Sequence, residues 1–271
     1  MLVTVDTGGT KTLVAGFGQD GRIGKTIRFP TPRKQEEYVA SLREVLQDNY
    51  GHETVEAVVV ALPGIIKDGV AVWCNNLGWK NFAAKEALAG VLGDAPVLIE
   101  NDANLAGLAE TRALRHVPES VLYVTVSTGI GTGIMTGGKI DPGLRKSEGG
   151  RMLVEFDGVV REWESFASGK AIYATYEKYA REITSKRTWH QIADRISRGF
   201  LAVIPLIQPD VVIIGGSIGT YFDRYGADLE SILREKLPPH IPCPEFRQAK
   251  HPETAVVYGC YYYALDYLSS N

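Results

Sequence analysis

The stretch VTVDTGGT, residues 3–10, decides the fold, because it recurs later in the chain as VTVSTGIGT, residues 124–132. The two copies share the pattern V-T-V-x-T-G, and in each copy an apolar strand leads into a glycine-rich turn. Glycine turns leave backbone N–H groups accessible, so a polyanion can approach them closely. The repeat therefore predicts two homologous phosphate loops that face each other across a cleft, with two unrelated β-hairpins as the competing interpretation.

Both loops carry residues that suit a phosphate ligand. Asp6 is badly placed to contact a phosphate itself, so we expect it to hold Mg²⁺ through water, because Mg²⁺ is octahedral and dehydrates reluctantly. The candidate phosphate-binding positions are Gly8, Gly9, Thr10 and Lys11 in the first loop and Thr128 and Gly129 in the second. The chain has no GxxxxGK(S/T) motif and no GxGxxG after its first strand, which argues against a P-loop and a Rossmann fingerprint.

The order of apolar and periodic segments predicts an α/β protein of two lobes, which we place at residues 1–102 and 103–252. The run AVVVAL, residues 57–62, is typical of a buried central strand. Helical patterns include residues 82–92 and 161–182. The twinned strand–turn–strand phosphate site favours the two-lobed fold of sugar kinases and actin-like ATPases, with duplicated ribonuclease H-like lobes.

Composition narrows the classes of partner. The 271 residues include 29 Lys and Arg against 32 Asp and Glu, for a net charge of −3, which argues against a general binder of nucleic acid or membrane surfaces. The sequence has no apolar run of transmembrane length and no signal-peptide pattern at its start. Cys74, Cys243 and Cys260 are scattered and odd in number, so we expect no disulfide framework and a cytoplasmic protein.

Five segments, taken in order, resemble the motifs of the ROK family (repressors, open reading frames, sugar kinases), which has the hexokinase-type fold. Singly these glycine-rich motifs are weak signals, but five in family order over residues 2 to about 220 make a strong one. The segments are DTGGTK (6–11), LPG (62–64) with Gly69 and NLGW (76–79), ENDAN (100–104), STGIGTG (127–133) and IGGS (214–217).

The resemblance implies ATP-dependent phosphorylation of a sugar hydroxyl, with Asp102 as general base and Asn101 bound to a sugar hydroxyl beside it. It also implies that Gly64 and Asn76 lie on the sugar side, and that Gly215 and Gly216 lie on the adenosine side. The residues agree, since a carboxylate just past the end of a strand lies where open α/β sheets bind ligands. The other interpretation is that Asn101 or Asp102 caps the following helix.

Glu148 and Glu164 are further candidates for sugar binding, because SEGGR (147–151) and WESFASG (163–169) resemble the family segments ExGH and LEAYASG. Carboxylate oxygens suit this role, since each accepts two hydroxyl hydrogen bonds. Arg151 stands where the family has a histidine that contacts sugar and binds zinc, and the zinc-binding cysteine segment is missing. A structural zinc needs about four N or S ligands, so we predict no zinc site.

Two interpretations of Arg151 stay open. Its planar fork matches a carboxylate or phosphate, so it is a candidate for reading an acidic group on an unusual substrate. Alternatively, it forms an ion pair with Glu148, Glu155 or Glu164 and holds the shortened loop in shape.

The resemblance leaves other questions open as well. The competing functions are a polyphosphate-dependent glucokinase-type enzyme and a non-catalytic sugar sensor. The family's repressors carry an N-terminal helix-turn-helix, which we do not expect here because the first phosphate strand begins at Leu2. A homodimer, and a final helix at residues 253–271 that returns to the first lobe, are expected from the resemblance alone.

Overall fold

The computed structural model describes residues 1–251 and 254–270. The chain divides into two compact units. Unit 1 comprises Met1–Ala109 and Thr254–Asn271, and unit 2 comprises Glu110–Glu253. The division between Ala109 and Glu110 lies inside a continuous helix. Within the described residues, no helix is long and apolar enough to cross a membrane.

The strands and helices are numbered in chain order. The strands are β1 (Leu2–Thr7), β2 (Lys11–Phe17), β3 (Ile23–Pro30), β4 (Ala57–Leu62), β5 (Ile65–Lys67), β6 (Val70–Cys74), β7 (Trp79–Phe82), β8 (Val97–Asn101), β9 (Ser120–Val126), β10 (Ile130–Thr136), β11 (Lys139–Ile140), β12 (Leu153–Phe156), β13 (Val159–Glu162), β14 (Val211–Gly215) and β15 (Glu245–Gln248). The helices are α1 (Gln35–Tyr50), α2 (Ala84–Leu88), α3 (Asp102–Arg112), α4 (Glu164–Ala167), α5 (Gly169–Tyr176), α6 (Lys186–Ile207), α7 (Gly216–Gly219), α8 (Gly226–Lys236) and α9 (Ala255–Ser270).

Each unit contains one five-stranded sheet, and the two sheets repeat the same plan. The order is β3-β2-β1-β4-β8 in unit 1 and β11-β10-β9-β14-β15 in unit 2. In both sheets the central strand pairs antiparallel with the strand that follows it and parallel with the strand on its other side. The two central strands, β1 and β9, carry the repeated V-T-V-x-T-G sequence. The sequence repeat is therefore a repeat of topology.

Helix α9 covers the sheet of unit 1 and explains why β4 is apolar throughout. Val58, Val60 and Leu62 belong to the apolar core of this unit, and α9 packs against β1 and β4. All six residues of β4 are buried as a result, as parallel strands with both faces covered require. The first residue of the predicted final helix, Glu253, and the last, Asn271, lie outside the described residues.

The predicted helices at residues 161–182 and 82–92 are longer than the helices in the structure. The span 161–182 contains the end of β13, then α4 and α5, because the β12–β13 hairpin turns at Asp157 and Gly158, both with positive φ. Asp-Gly is a strong signal for such a turn. Ser168 then separates the helices: it is extended, and its Oγ accepts the N–H of Ala171 as the cap of α5. The span 82–92 forms only the short α2.

A substitution at Gly259 tests how α9 packs against α3. A Cβ at this position would lie 1.9 Å from the carbonyl oxygen of Leu105 in α3, so Gly259→Ala forces the helix backbones apart. We expect a loss of roughly 2–3 kcal/mol in the free energy of unfolding, measured by urea denaturation. Gly24→Ala is the control, because its Cβ would meet nothing closer than 3.5 Å. Equal stability of the two variants would contradict this packing.

Candidate active site

The first glycine loop follows β1 and is held by its neighbours. The N–H of Gly8 donates to the carbonyl of Lys11 over 2.9 Å. Thr31 fixes the loop from the side, since its Oγ1 donates to the carbonyl of Gly8 and its N–H donates to the carbonyl of Thr10. Thr10 and Lys11 are exposed. The loop therefore has a defined backbone and an accessible tip, as a phosphate site requires.

Asp6 lies on β1 immediately before this loop. Burial raises the pKa of its carboxyl to about 6, because a carboxylate removed from water loses hydration. The hydroxyl of buried Tyr38 hydrogen-bonds to Thr7 at 2.8 Å, so the strand end is ordered around the carboxylate. A desolvated carboxylate beside a phosphate loop fits a hydrated divalent cation, which compensates the buried charge.

The turn from β8 to α3 shows which of Asn101 and Asp102 is the main cap of the helix, a question that the sequence left open. The side chain of Asn101 caps the helix, since its Oδ1 accepts the N–H of Asn104 at 3.0 Å. Its Nδ2 also donates to the carbonyl of Gly64 at 2.8 Å. Asp102 starts the helix, and its Oδ1 accepts the N–H of Ala103 at 2.9 Å. The principal cap is therefore Asn101, which retains one N–H and one carbonyl lone pair for a ligand.

Glu100 fixes the same turn from the inside. Its side chain is 1% exposed, and its Oε1 accepts the N–H of Asn101 at 2.8 Å and the Nδ2 of Asn104 at 3.0 Å. Sequence reasoning treated Glu100 only as part of the ENDAN motif. The structure shows a buried carboxylate that holds the strand–helix turn on which Asp102 sits.

Asn76 and Gly64 lie in the loops around β5–β7 of unit 1. A Cβ at Gly9 would lie 3.7 Å from the Cβ of Asn76, so the first glycine loop and the NLGW segment are neighbours. Arg33, in the segment between β3 and α1, also holds this region, because its Nη1 donates to the carbonyl of Asn76 at 2.8 Å. Gly64 has φ of +90° and no room for a Cβ, which would lie 2.0 Å from the carbonyl oxygen of Trp73. Only glycine fits there.

The second glycine loop, residues 127–129, follows β9 in unit 2. The carbonyl of Ser127 accepts the N–H of Gly169 at 2.6 Å. The N–H of Ile130, directly after the loop, donates to Oε2 of Glu164 at 3.2 Å. Gly216 lies beside the loop, since a Cβ there would lie 2.5 Å from the carbonyl oxygen of Val126. The structure thus brings Thr128 and Gly129 close to the Gly215–Gly216 segment.

Glu148, Arg151 and Glu164 also lie together in unit 2. Arg151 forms an ion pair with Glu164, with Nη2 at 3.1 Å from Oε1, and donates from Nη1 to Oε2 of Glu162 at 2.6 Å. Burial raises the pKa of the Glu148 carboxyl, Arg151 lowers it and Glu164 raises it. Glu162 was missed from the sequence because residues 161–182 were read as helix. In the hairpin it pairs with Leu153, which places it near Arg151.

A cavity of about 360 Å³ adjoins the second glycine loop in unit 2. The rings of Tyr173 and Tyr179 are 4.6 Å apart, and the Arg181 guanidinium lies 4.8 Å from the Tyr179 ring centroid. These residues were not predicted, because separate helices and turns supply them. The lining residues are Ser127, Thr128, Gly169, Lys170, Tyr173, Tyr179, Ala180, Arg181, Ser217, Ile218 and Tyr221.

Metal-ligating side chains are not clustered in the described part of the chain. Among those residues, no group of three or more His, Cys, Asp or Glu could hold a metal ion directly. Cys74 and Cys260 are buried, and Cys243 is partly buried. The water-mediated role proposed for Asp6 requires no such cluster.

Comparison with known proteins identifies close structural and sequence relatives. A model of the ROK family matches residues 2–266. The N-acetylmannosamine kinase of Escherichia coli strain SMS-3-5 is 30% identical over 260 residues, covering 86% of this chain and 88% of that protein. A ROK family glucokinase from Streptomyces griseus, solved with glucose and AMPPNP, has a TM-score of 0.80 at 22% identity, over 98% of this chain and 99% of that one. The inorganic polyphosphate/ATP-glucomannokinase of Arthrobacter sp. strain KM has a TM-score of 0.74 at 27% identity, over 100% and 99%. The predicted sugar kinase and actin-like ATPase fold is confirmed.

Asp6→Asn tests the electrostatic cost of the buried carboxylate. The folded-state pKa of about 6 exceeds the ordinary value of 3.8, so ionisation of Asp6 opposes folding as the pH rises above about 4. In EDTA at pH 8, we expect the variant to be more stable than the wild type by roughly 2–3 kcal/mol, with a smaller gain at pH 5. Chemical denaturation at both pH values measures the difference.

Asp48→Asn is the matched control, because Asp48 is an exposed carboxyl on α1. Its stability should follow that of the wild type at both pH values. An Asp6→Asn variant that is no more stable than the wild type at pH 8 would contradict the cost assigned to Asp6.

Proposed function

Because the chain belongs to the ROK family, we propose that it is a kinase that transfers the γ-phosphate of ATP to a hydroxyl of a hexose or related sugar. Asp102 is the general base of this proposal. This role is supported by the β8–α3 turn, where Glu100 and Asn101 hold the backbone and Asn101 is the principal cap. Because the turn does not depend on Asp102 as its main cap, this arrangement supports a role for the Asp102 carboxylate in catalysis.

The chemistry needs little more than alignment and charge neutralisation. Asp102 accepts the proton of the sugar hydroxyl while the hydroxyl oxygen forms a bond to the γ-phosphorus. At the same time the bond between the γ-phosphorus and the bridging oxygen of the β-phosphate breaks, and ADP leaves. Backbone N–H groups of the glycine loops bind the phosphates, and Lys11 neutralises their charge. Asp6 would hold Mg²⁺ through water, and the metal when bound supplies further positive charge to the phosphates.

The cavity beside the second glycine loop supports ATP as the donor. It is lined by Tyr173, Tyr179 and Tyr221 next to Ser127 and Thr128, so a nucleobase has aromatic surface near the phosphates. Gly215 and Gly216 complete the adenosine side in this proposal. Polyphosphate is the competing donor, and it has no base to place against the tyrosines. The relative from Arthrobacter takes both donors according to its description.

The charge around Arg151 supports a sugar without an acidic group. Arg151 forms ion pairs with two carboxylates, Glu162 and Glu164, and Glu148 lies close by. Three carboxyls around one guanidinium disfavour a further anion. Neutral hexoses and N-acetylated sugars fit this environment, and the Escherichia coli relative acts on an N-acetylated sugar by its name. Glu148 and Glu164, with Gly64, Asn76 and Asn101, form the proposed sugar-binding set.

Two other properties stay predictions. A homodimeric state is expected from the family resemblance, and a cytoplasmic location from the scattered, odd-numbered cysteines. A non-catalytic sugar sensor is the alternative function. The presence of Asp6, Asp102 and both glycine loops supports catalysis over that alternative.

Asp102→Asn tests the general base. The amide keeps the shape of the side chain but cannot accept the hydroxyl proton, so we expect the kcat for sugar phosphorylation to fall by about 10²-fold or more. Calorimetry should find unchanged binding of Mg²⁺-AMPPNP, because the donor does not need the base. Asp94→Asn, an exposed carboxyl in the same unit, serves as the control. Wild-type turnover in Asp102→Asn would exclude this role.

Tyr179→Ala tests the donor pocket. Removing one ring of the Tyr173–Tyr179 pair should raise the KM for ATP by about tenfold, since base–aromatic stacking contributes roughly 1–3 kcal/mol. The KM for sugar should stay within about twofold, as measured in a coupled assay. Tyr267→Ala, which removes an exposed tyrosine from α9, is the control. An unchanged KM for ATP would argue that the donor is bound elsewhere.

A further inference from the structure

We propose that Glu162 is a positioning residue that acts through Arg151: it engages one arm of the guanidinium, and this leaves Glu164 one oxygen free to hold the backbone of the second glycine loop. The chain of contacts is Glu162–Arg151–Glu164–Ile130. The effect on donor binding rests on the function proposed above, whereas the effect on the loop backbone does not.

Glu164 divides its two oxygens between two partners. Its Oε1 forms an ion pair with Nη2 of Arg151 at 3.1 Å, and its Oε2 accepts the N–H of Ile130 at 3.2 Å. The approach to the loop is close, because a Cβ at Gly129 would lie 2.7 Å from Oε2. The carboxylate thus contacts the loop at the residue that binds phosphate in our proposal. A small movement of Glu164 therefore changes the geometry of the donor loop.

Arg151 divides its two arms in the same way. Its Nη1 donates to Oε2 of Glu162 at 2.6 Å, and its Nη2 forms the ion pair with Glu164. An arginine offered a single carboxylate prefers a bidentate pair, in which both carboxylate oxygens are used. If Glu162 loses its charge, Arg151 is expected to take both oxygens of Glu164 and to draw Oε2 away from Ile130.

The surroundings make this balance sensitive to charge. Arg151 is the cation that faces the carboxyls of Glu148, Glu162 and Glu164 in the contacts described above. Its N–H also donates to the carbonyl of Glu148 at 2.9 Å, so its backbone is held in the Gly149–Arg151 turn. Two neighbouring glycines permit that turn to pack closely, since a Cβ at Gly150 would lie 2.1 Å from the carbonyl oxygen of Ile130. Arg151 is thus tied to the loop in two ways, by its guanidinium through Glu164 and by the close packing of its backbone turn.

Amide hydrogen exchange at Ile130 tests the proposal without any ligand. In Glu162→Gln, exchange of the Ile130 amide should be about tenfold faster than in the wild type, because its carboxylate acceptor is withdrawn. Glu162 has 41% of its side chain exposed, so this variant should fold. Glu155→Gln removes a charge from the same hairpin and keeps the oxygen that accepts the N–H of Gly158, so it should exchange like the wild type.

The double variant Glu162→Gln with Arg151→Met gives the signature of action through Arg151. Without the guanidinium, nothing draws the Glu164 carboxylate away from the Ile130 amide. The exchange rate of that amide should therefore fall back to within about threefold of the wild-type rate. A merely structural role of Glu162 predicts the opposite, since a second loss then adds to the first. The proposal is wrong if Glu162→Gln exchanges like Glu155→Gln, or if the double variant exchanges as fast as Glu162→Gln.

Calorimetric titration with Mg²⁺-AMPPNP tests whether the same contacts affect donor binding. The Kd should rise about tenfold in Glu162→Gln, stay unchanged in Glu155→Gln and recover in the double variant. Failure of the wild type to bind AMPPNP would refute the donor in the proposed function, while the exchange data would still decide the role of Glu162. Normal AMPPNP affinity in Glu162→Gln, together with fast exchange, would refute the link from the loop to the donor.

Discussion

Close packing of glycines in and around the second glycine loop is the constraint on which the candidate site depends. A Cβ at five glycines would lie 2.1–2.7 Å from a neighbouring backbone or side-chain atom, and these are Gly129, Gly149, Gly150, Gly169 and Gly216. Side chains at these positions would separate the loop from the segments that hold it. The glycine motifs of the sequence are therefore packing requirements as well as phosphate-binding signals. They bring segments from 127 to 216 together, although the chain separates them widely.

Charge placement in both units costs folding stability. Burial raises the pKa of Asp6 to about 6 and also raises the pKa of Glu148, so both carboxylates are held where ionisation is costly. Carboxylates at functional sites are commonly perturbed in this way. Arg151 offsets part of that cost near Glu148, and Mg²⁺ would do so at Asp6 in the proposed function.

Local patterns predicted the strands and glycine loops well, because their signals are contained in a few consecutive residues. The apolar run 57–62 and the repeated V-T-V-x-T-G sequence identify β4, β1 and β9 with few alternatives. Glu162 was not predicted, because its partner depends on the hairpin that follows the Asp157–Gly158 turn. The tyrosine-lined cavity was not predicted either, since Tyr173, Tyr179 and Tyr221 meet only through tertiary packing.

If this chain transfers phosphate from ATP to a sugar without an acidic group, the phosphorylated product reveals both the donor and the acceptor. Phosphorus NMR of the wild-type protein with Mg²⁺ detects that product when ATP and polyphosphate are offered separately with neutral, N-acetylated and acidic sugars. We expect one neutral or N-acetylated sugar phosphate, formed mole for mole with ADP. Preference for an acidic sugar would contradict the environment assigned to Arg151. Absence of any sugar phosphate, in a protein that binds Mg²⁺-AMPPNP, would contradict the kinase itself.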